Sequence, residues 1–305
     1  MRLPDFVIIG AMKAATTTLH AQLSRQPGVY MSEPKEPCFF SDDDVWARGL
    51  DWYARLFRSA PPDARCGESS THYTKLPAYP DTVARMHATL PGARLIYVMR
   101  HPVDRLVSHY IHEWTEGRVS GGIDAAVERH RELIDYGRYA FQLEPWVAAY
   151  GADRVLPVFF ERMRSRGDEE LRRIASFLGL DGPVKWRDGE NENVSSDRLR
   201  KGPLLRFIMN TPVVSRVRRG LVPVGAREWV KNRFFRMRER PGLSGQRLRE
   251  VERDFDEDLA RLSAMLALDP PLTCRNFAQM AESIEDPRLS RVGARPVPGV
   301  AGGMA

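Results

Sequence analysis

The chain has 305 residues, 43% of them hydrophobic and 28% charged, with a formal net charge of +6. That length holds one large α/β domain with a buried core, or two small ones. No apolar run reaches the roughly 18 residues of a membrane span, and Phe6–Ile9 is too short for a signal-peptide core, so the sequence reads as a soluble, cytoplasmic protein. Cys38, Cys66 and Cys274 are few, odd in number and widely spaced, a pattern that predicts neither a disulfide framework nor a zinc site.

Phe6-Val7-Ile8-Ile9-Gly10 predicts a short buried strand. A helix is expected over 16–26, where Leu19 and Leu23 lie four apart and Pro27-Gly28 stops it. Val29–Met31 predicts a second strand, 51–57 a short helix, 64–68 a strand and 80–90 a helix. Arg94–Arg100 carries the clearest buried strand. Pro102 then stands at a first helical position, and that helix is expected to run to about Glu116. A helix over 138–150, a strand over 154–160 and a helix over 169–178 follow, the last stopped by Gly179. Alternating strands and helices predict an α/β protein, a P-loop-like doubly wound parallel sheet flanked by helices. Further helices are expected at 203–219, 225–238 and 243–267, giving a helical C-terminal part. The domain is drawn over 1–275, with 276–305 as a partly disordered tail that is rich in Pro, Gly and Arg from about residue 285.

Two segments carry chemistry. Gly10-Ala11-Met12-Lys13-Ala14-Ala15-Thr16-Thr17-Thr18 joins the first strand to the first helix. The first N–H groups of a helix lack internal partners and the dipole is positive there, so Lys13 and the threonine hydroxyls would complete an anion site. The segment is not a Walker A loop, because no Gly-Lys-Ser/Thr closes it. A threonine-capped helix with a surface lysine reads the same residues equally well. The second segment places Arg100 at a strand's carboxyl end, where doubly wound sheets bind ligands, and Ser108 about two turns into the next helix. Arginine offers a fork to phosphate oxygens and serine a neutral donor. A structural Arg100–Asp104 pair is the alternative.

Together and in this order the two segments resemble the sulfotransferase family that uses 3'-phosphoadenylyl sulfate (PAPS), in a bacterial-type form. Lys13–Thr18 looks like its 5'-phosphosulfate loop, and Arg100–Ser108 like its 3'-phosphate unit. Lys35-Glu36-Pro37-Cys38-Phe39-Phe40, Leu50–Tyr53 and Gly67–Tyr73 resemble its carbohydrate, heparan sulfate branch, and Arg200-Lys201-Gly202 is similar to its late nucleotide-closing loop. The resemblance implies sulfuryl transfer from PAPS, leaving 3'-phosphoadenosine 5'-phosphate (PAP), to a hydroxyl of a carbohydrate or small molecule. Glu36 would be the general base and Lys13 would stabilise the leaving phosphate, with no metal. The residues implied at the donor are Lys13, Ala14, Ala15, Thr16, Thr17, Thr18, Arg100, Ser108, Arg200, Lys201 and Gly202.

The sequence departs from the family where glycines are common: Ala14 and Ala15 predict a loop without a left-handed residue there. Cys38 stands where carbohydrate members carry histidine, and Ser69 where some carry lysine, which leaves the acceptor class open. His109, His112 and Glu113 match no zinc-helix motif. Residues 203–240 hold ten basic and two acidic residues, a net of +8 against about −2 for the rest of the chain. Solvated helix faces, an anionic acceptor and a membrane surface all suit such a segment, and no nucleic-acid module accompanies it. A P-loop nucleotide kinase and a non-enzymatic anion-binding protein are the competing readings.

Overall fold

Five strands form one parallel sheet in a computed structural model that describes residues 1–187 and 240–289. In chain order these are β1 (Phe6–Gly10), β2 (Val29–Met31), β3 (Arg65–Ser69), β4 (Arg94–Met99) and β5 (Val155–Phe159). Their order in the sheet is β2-β3-β1-β4-β5, and every pairing is parallel. Every residue of β1 and β5 is buried, as expected of strands covered on both faces. This is the doubly wound α/β sheet that the alternation of elements predicts.

The helices before the C-terminal part are α1 (Thr16–Ser24), α2 (Asp43–Trp46), α3 (Leu50–Arg55), α4 (Thr82–Thr89), α5 (Pro102–Thr115), α6 (Ile123–Arg129), α7 (Glu132–Asp135), α8 (Tyr139–Tyr150), α9 (Phe160–Ser165) and α10 (Gly167–Leu178). Helix α1 packs on β1, β2 and β3, while α8, α9 and α10 pack on β5. The chain leaves β1 toward one edge of the sheet, and leaves β4 toward the other. The carboxyl ends of these two neighbours therefore flank the crevice where such sheets bind ligands.

Gly10 is required at the end of β1. A Cβ there would stand 1.9 Å from Thr74 Oγ1, whose hydroxyl donates to the Ile9 carbonyl at 2.9 Å. Close approach, rather than turn geometry, selects glycine at this position.

Two further helices follow, α11 (Gly245–Met265) and α12 (Phe277–Ser283). Ser244 caps α11 by accepting from the Arg247 N–H at 3.4 Å. Residues 276–289 pack on the domain, past the boundary drawn at 275. Phe277 and Ala281 are fully buried, and Phe277 meets the rings of His101, Tyr139 and Phe159 at 5.9, 6.4 and 5.6 Å. Arg162 donates to the Ile284 carbonyl at 2.5 Å and Arg173 to that of Pro287 at 3.2 Å. Both arginines bind the buried Glu170, so a paired charge cluster pins this segment to α9 and α10. The boundary drawn at 275 overlooked the apolar anchor at 277. The expected helices at 203–219 and 225–238, and Arg200-Lys201-Gly202, lie outside the described residues. Among the described residues no helix is long and apolar enough to cross a membrane.

Candidate active site

The loop after β1 is tied back to the sheet by the Ala11 N–H, which donates to the Val98 carbonyl of β4 at 2.8 Å. Lys13 and Ala15 both adopt left-handed backbone, at φ 68° and 66°. This corrects the expectation that alanine keeps left-handed geometry out of the loop. The fully buried methyl of Ala14 and the packing of Ala15 on the core hold the strained shape. Such turns are the local geometry from which concavities of N–H groups for anions are built. The first helical bond of α1 runs from the Leu19 N–H to the Ala15 carbonyl at 3.2 Å. The N–H groups of Thr16, Thr17 and Thr18 precede it and have no partner inside the helix. Thr16 is buried, Thr17 and Thr18 are half-buried, and Lys13 is half-buried beside them.

Arg100 is held by its backbone. Its N–H donates to Tyr139 Oη at 3.2 Å, and that hydroxyl donates to the Arg100 carbonyl at 2.5 Å. The next residue is anchored three ways. The His101 N–H donates to Glu161 Oε1 at 2.9 Å, Nδ1 accepts from the Asp104 N–H at 3.4 Å, and Nε2 meets the Cys274 carbonyl at 2.8 Å. Those contacts fit a neutral ring carrying its proton on Nε2. The Arg100 guanidinium lies over the Phe160 ring at 4.9 Å. Among the described residues its buried Nε has no hydrogen-bond partner, an arrangement suited to receiving an anion. Asp104 pairs with Arg240 instead of Arg100, which removes the structural pairing considered above.

Ser108 is half-buried on α5, one turn before His112. His112 is pushed down to about 4, first by burial and then by the charge of Lys13. The charge of Lys13 thus reaches the Ser108–His112 face of α5. The two segments singled out in the sequence leave the carboxyl ends of neighbouring strands, β1 and β4.

Glu36 enters from the segment after β2, in left-handed backbone at φ 61°. Its N–H donates to the Ser69 carbonyl at 2.9 Å, which ties it to the end of β3. Its carboxylate accepts from Lys35 Nζ at 2.6 Å and from Thr71 Oγ1 at 3.2 Å. Burial opposes ionisation, yet Lys35, the Thr71 hydroxyl and Lys75 hold Glu36 below the ordinary carboxylate range. His20, one turn beyond Thr16 on α1, is lowered to about 4 by burial and by Lys35, against the pull of Glu36. The charge of Glu36 thus reaches the α1 face that opens at the Lys13 loop.

Several residues here were not singled out from the sequence for a site role. Lys75 is buried, with its ammonium 5.8 Å from the centre of the Tyr136 ring. Burial lowers its pKa, while Glu36, Cys38 and Glu113 raise it. Glu113 meets Arg118 and lies 3.6 Å from His109 Nε2. Despite burial, those two partners hold Glu113 well below the carboxylate range. His109 itself is driven to about 3 by burial and is neutral at ordinary pH. Glu68 is wholly buried, faces Tyr53 and Tyr73, and is pushed up to about 7 by desolvation. No spacing in the sequence signals Lys75; it becomes visible only where the turn after β3 brings it within reach of the Glu36 charge.

The sequence model of the sulfotransferase family matches residues 52–184. This segment, less than half of the chain, resembles that family. Human bifunctional heparan sulfate N-deacetylase/N-sulfotransferase 2 is 29% identical over 202 residues, covering 59% of this chain and 22% of that protein. Mouse heparan sulfate glucosamine 3-O-sulfotransferase 3A1 is 33% identical over 191 residues, covering 59% of this chain and 46% of its own. The chain thus spans less than half the length of these relatives. A sulfotransferase from Alicyclobacillus acidocaldarius shares the fold, with a TM-score of 0.62 at 23% identity over 88% of this chain and 98% of that one.

Proposed function

We propose that the protein transfers a sulfuryl group from PAPS to a hydroxyl of a carbohydrate or small-molecule acceptor. The observation that carries this reading is that the Lys13 loop and the Arg100–Ser108 segment leave the carboxyl ends of neighbouring strands, tied together by the Ala11 N–H bond to the Val98 carbonyl. One group of donors suits a 5'-phosphosulfate and the other a 3'-phosphate, so together they would select a doubly substituted nucleotide over ATP. Arg200-Lys201-Gly202 would close over that nucleotide, a role that lies outside the described residues.

In this reading Glu36, ionised at neutral pH, takes the acceptor proton as the acceptor oxygen bonds to sulfur. The bond from sulfur to the phosphate oxygen breaks in line with it. Charge arriving on the phosphate is met by Lys13 and by the first N–H groups of α1. A positioned base contributes about 10²–10⁴-fold and each such donor about 10²–10³-fold. Lys35 and Thr71 fix the Glu36 carboxylate, and Lys75 supports its ionised form. The relatives named for heparan sulfate support a carbohydrate acceptor, and the crowd of carboxylates around Lys75 supports a neutral hydroxyl over an anionic one at that point. An anionic acceptor or membrane contact through 203–240 falls outside the described residues, except that Arg240 is engaged by Asp104.

Glu36→Gln tests the reading. It is expected to bind PAP as the parent does and to lose about 10²–10⁴-fold in turnover with labelled PAPS and an acceptor panel. Turnover equal to the parent's would remove Glu36 from the mechanism.

A further inference from the structure

Cys38, Asp42 and His72 converge from two separated stretches of chain. One sulfur, one carboxylate oxygen and one imidazole nitrogen all lie within 4.8 Å of one another. We infer that these three side chains form a binding site for a thiophilic divalent cation, zinc by preference, two residues from Glu36. Bonds of about 2.0–2.3 Å place tetrahedral zinc ligands roughly 3.3–3.8 Å apart, so small side-chain rotations close the set. Asp42 Oδ1 and His72 Nδ1 already stand 3.1 Å apart.

Each ligand is held from outside. The Cys38 N–H donates to Ser70 Oγ at 3.0 Å, fixing the thiol's backbone against the end of β3. Ser41 donates to Asp42 Oδ1 at 3.2 Å, and the His72 ring stacks on Tyr79 at 5.0 Å. Backing of this kind orients metal ligands. The mixed sulfur, nitrogen and oxygen set favours zinc over magnesium or calcium. The surroundings favour a cation as well. The carboxyl groups of Asp42, Glu36 and Glu68 lie around the Cys38 thiol. Three protein ligands leave a fourth position for water or another small oxygen ligand. The spacing of the cysteines hides the site, because only one cysteine takes part and His72 lies 34 residues beyond it.

The test uses the full chain, stripped with a chelator and titrated with zinc or cobalt(II). The expected results are one ion per chain, a sulfur-to-cobalt charge-transfer absorption, and a rise in Tm with zinc. Loss of an outer-shell partner costs about 10–100-fold in affinity, so Cys38→Ser is expected to weaken zinc by at least ~100-fold and to abolish the absorption. His72→Gln is expected to weaken zinc to a similar extent. Absence of the charge-transfer band in the parent protein would overturn the site even if a variant fails to fold. Zinc affinity unchanged in folded Cys38→Ser and His72→Gln would do the same.

Discussion

The two sides of the crevice are built by different means. The side toward β1 and β4 is made of backbone: left-handed Lys13 and Ala15, the open N–H groups of α1, and an Arg100–His101 turn clamped by Tyr139, Glu161 and Cys274. The side toward β3 is made of titratable side chains packed on one another: Glu36 with Lys35, Lys75 facing Glu113, and Glu68 under two tyrosines. A backbone cradle suits a constant ligand, because N–H groups keep their charge and position. A side-chain cluster suits a proton to be moved and an acceptor that differs between relatives. The contrast predicts that damage to the first side shows in nucleotide affinity and in charge stabilisation at the leaving phosphate, and damage to the second in proton transfer and pH response.

The largest effect expected on stability comes from the buttress behind the nucleotide side. Phe277→Ala removes a fully buried ring under His101 and Tyr139 and is expected to cost about 3–5 kcal/mol, with weaker PAP binding. Chemical denaturation would measure it, and a loss under ~1 kcal/mol would put α12 outside the core. Lys13→Ala comes next: turnover is expected to fall about 10²–10³-fold, in steady-state assays with labelled donor. A loss confined to KM of the acceptor would move Lys13 to the other side of the comparison.

The side-chain cluster should reveal itself in pH. His109 sits at about 3 in the fold against an ordinary value of 6.5, so the unfolded chain takes up a proton that the folded chain refuses. That contribution to stability is complete above pH 6.5 and is lost as pH falls, by about 1.4 kcal/mol per unit, or ~2 kcal/mol at pH 5. His20 and His112 act in the same direction. Glu68 acts oppositely, since at about 7 its folded carboxyl holds a proton more tightly and gains stability as pH falls. Comparing the parent with His109→Gln isolates the histidine. The variant is expected to lose less stability between pH 7 and 5 in thermal melts, and parallel curves would contradict a neutral buried His109.

The smallest effect concerns the cradle itself. Ala15→Gly relieves a left-handed alanine and is expected to stabilise by about 1 kcal/mol, seen as a Tm rise of roughly 2–4 °C. A lower Tm would mean that the Ala15 methyl contributes more by packing than its backbone costs.

What the sequence made legible divides along the same line. β1, β4 and β5 stand out as apolar runs, and Pro102 and Gly179 mark a helix start and a helix end where the structure has them. The Lys13 loop and Arg100 are readable because strand ends and helix starts are local features. Lys75, the Glu68–Tyr53–Tyr73 contact and the Cys38–Asp42–His72 group are not, because strand order brings together residues that sequence keeps apart. The left-handed Ala15 was hidden for another reason: propensity argues against it, and burial of the neighbouring Ala14 overrides propensity. Phe277 was hidden because the domain boundary fell at 275, two residues before it.

The central claim is a nucleotide site defined by its 3'-phosphate, and it is tested most directly by ligand-dependent Tm of the parent chain and Arg100→Ala. At a concentration about 100-fold above Kd a ligand adds about 2.7 kcal/mol, a shift easily seen. The account predicts that PAP raises Tm of the parent while ATP with magnesium does not, and that Arg100→Ala loses most of the PAP shift but little of any shift with adenosine 5'-phosphosulfate. Equal shifts with PAP and ATP, or equal losses for PAP and adenosine 5'-phosphosulfate in Arg100→Ala, would contradict it.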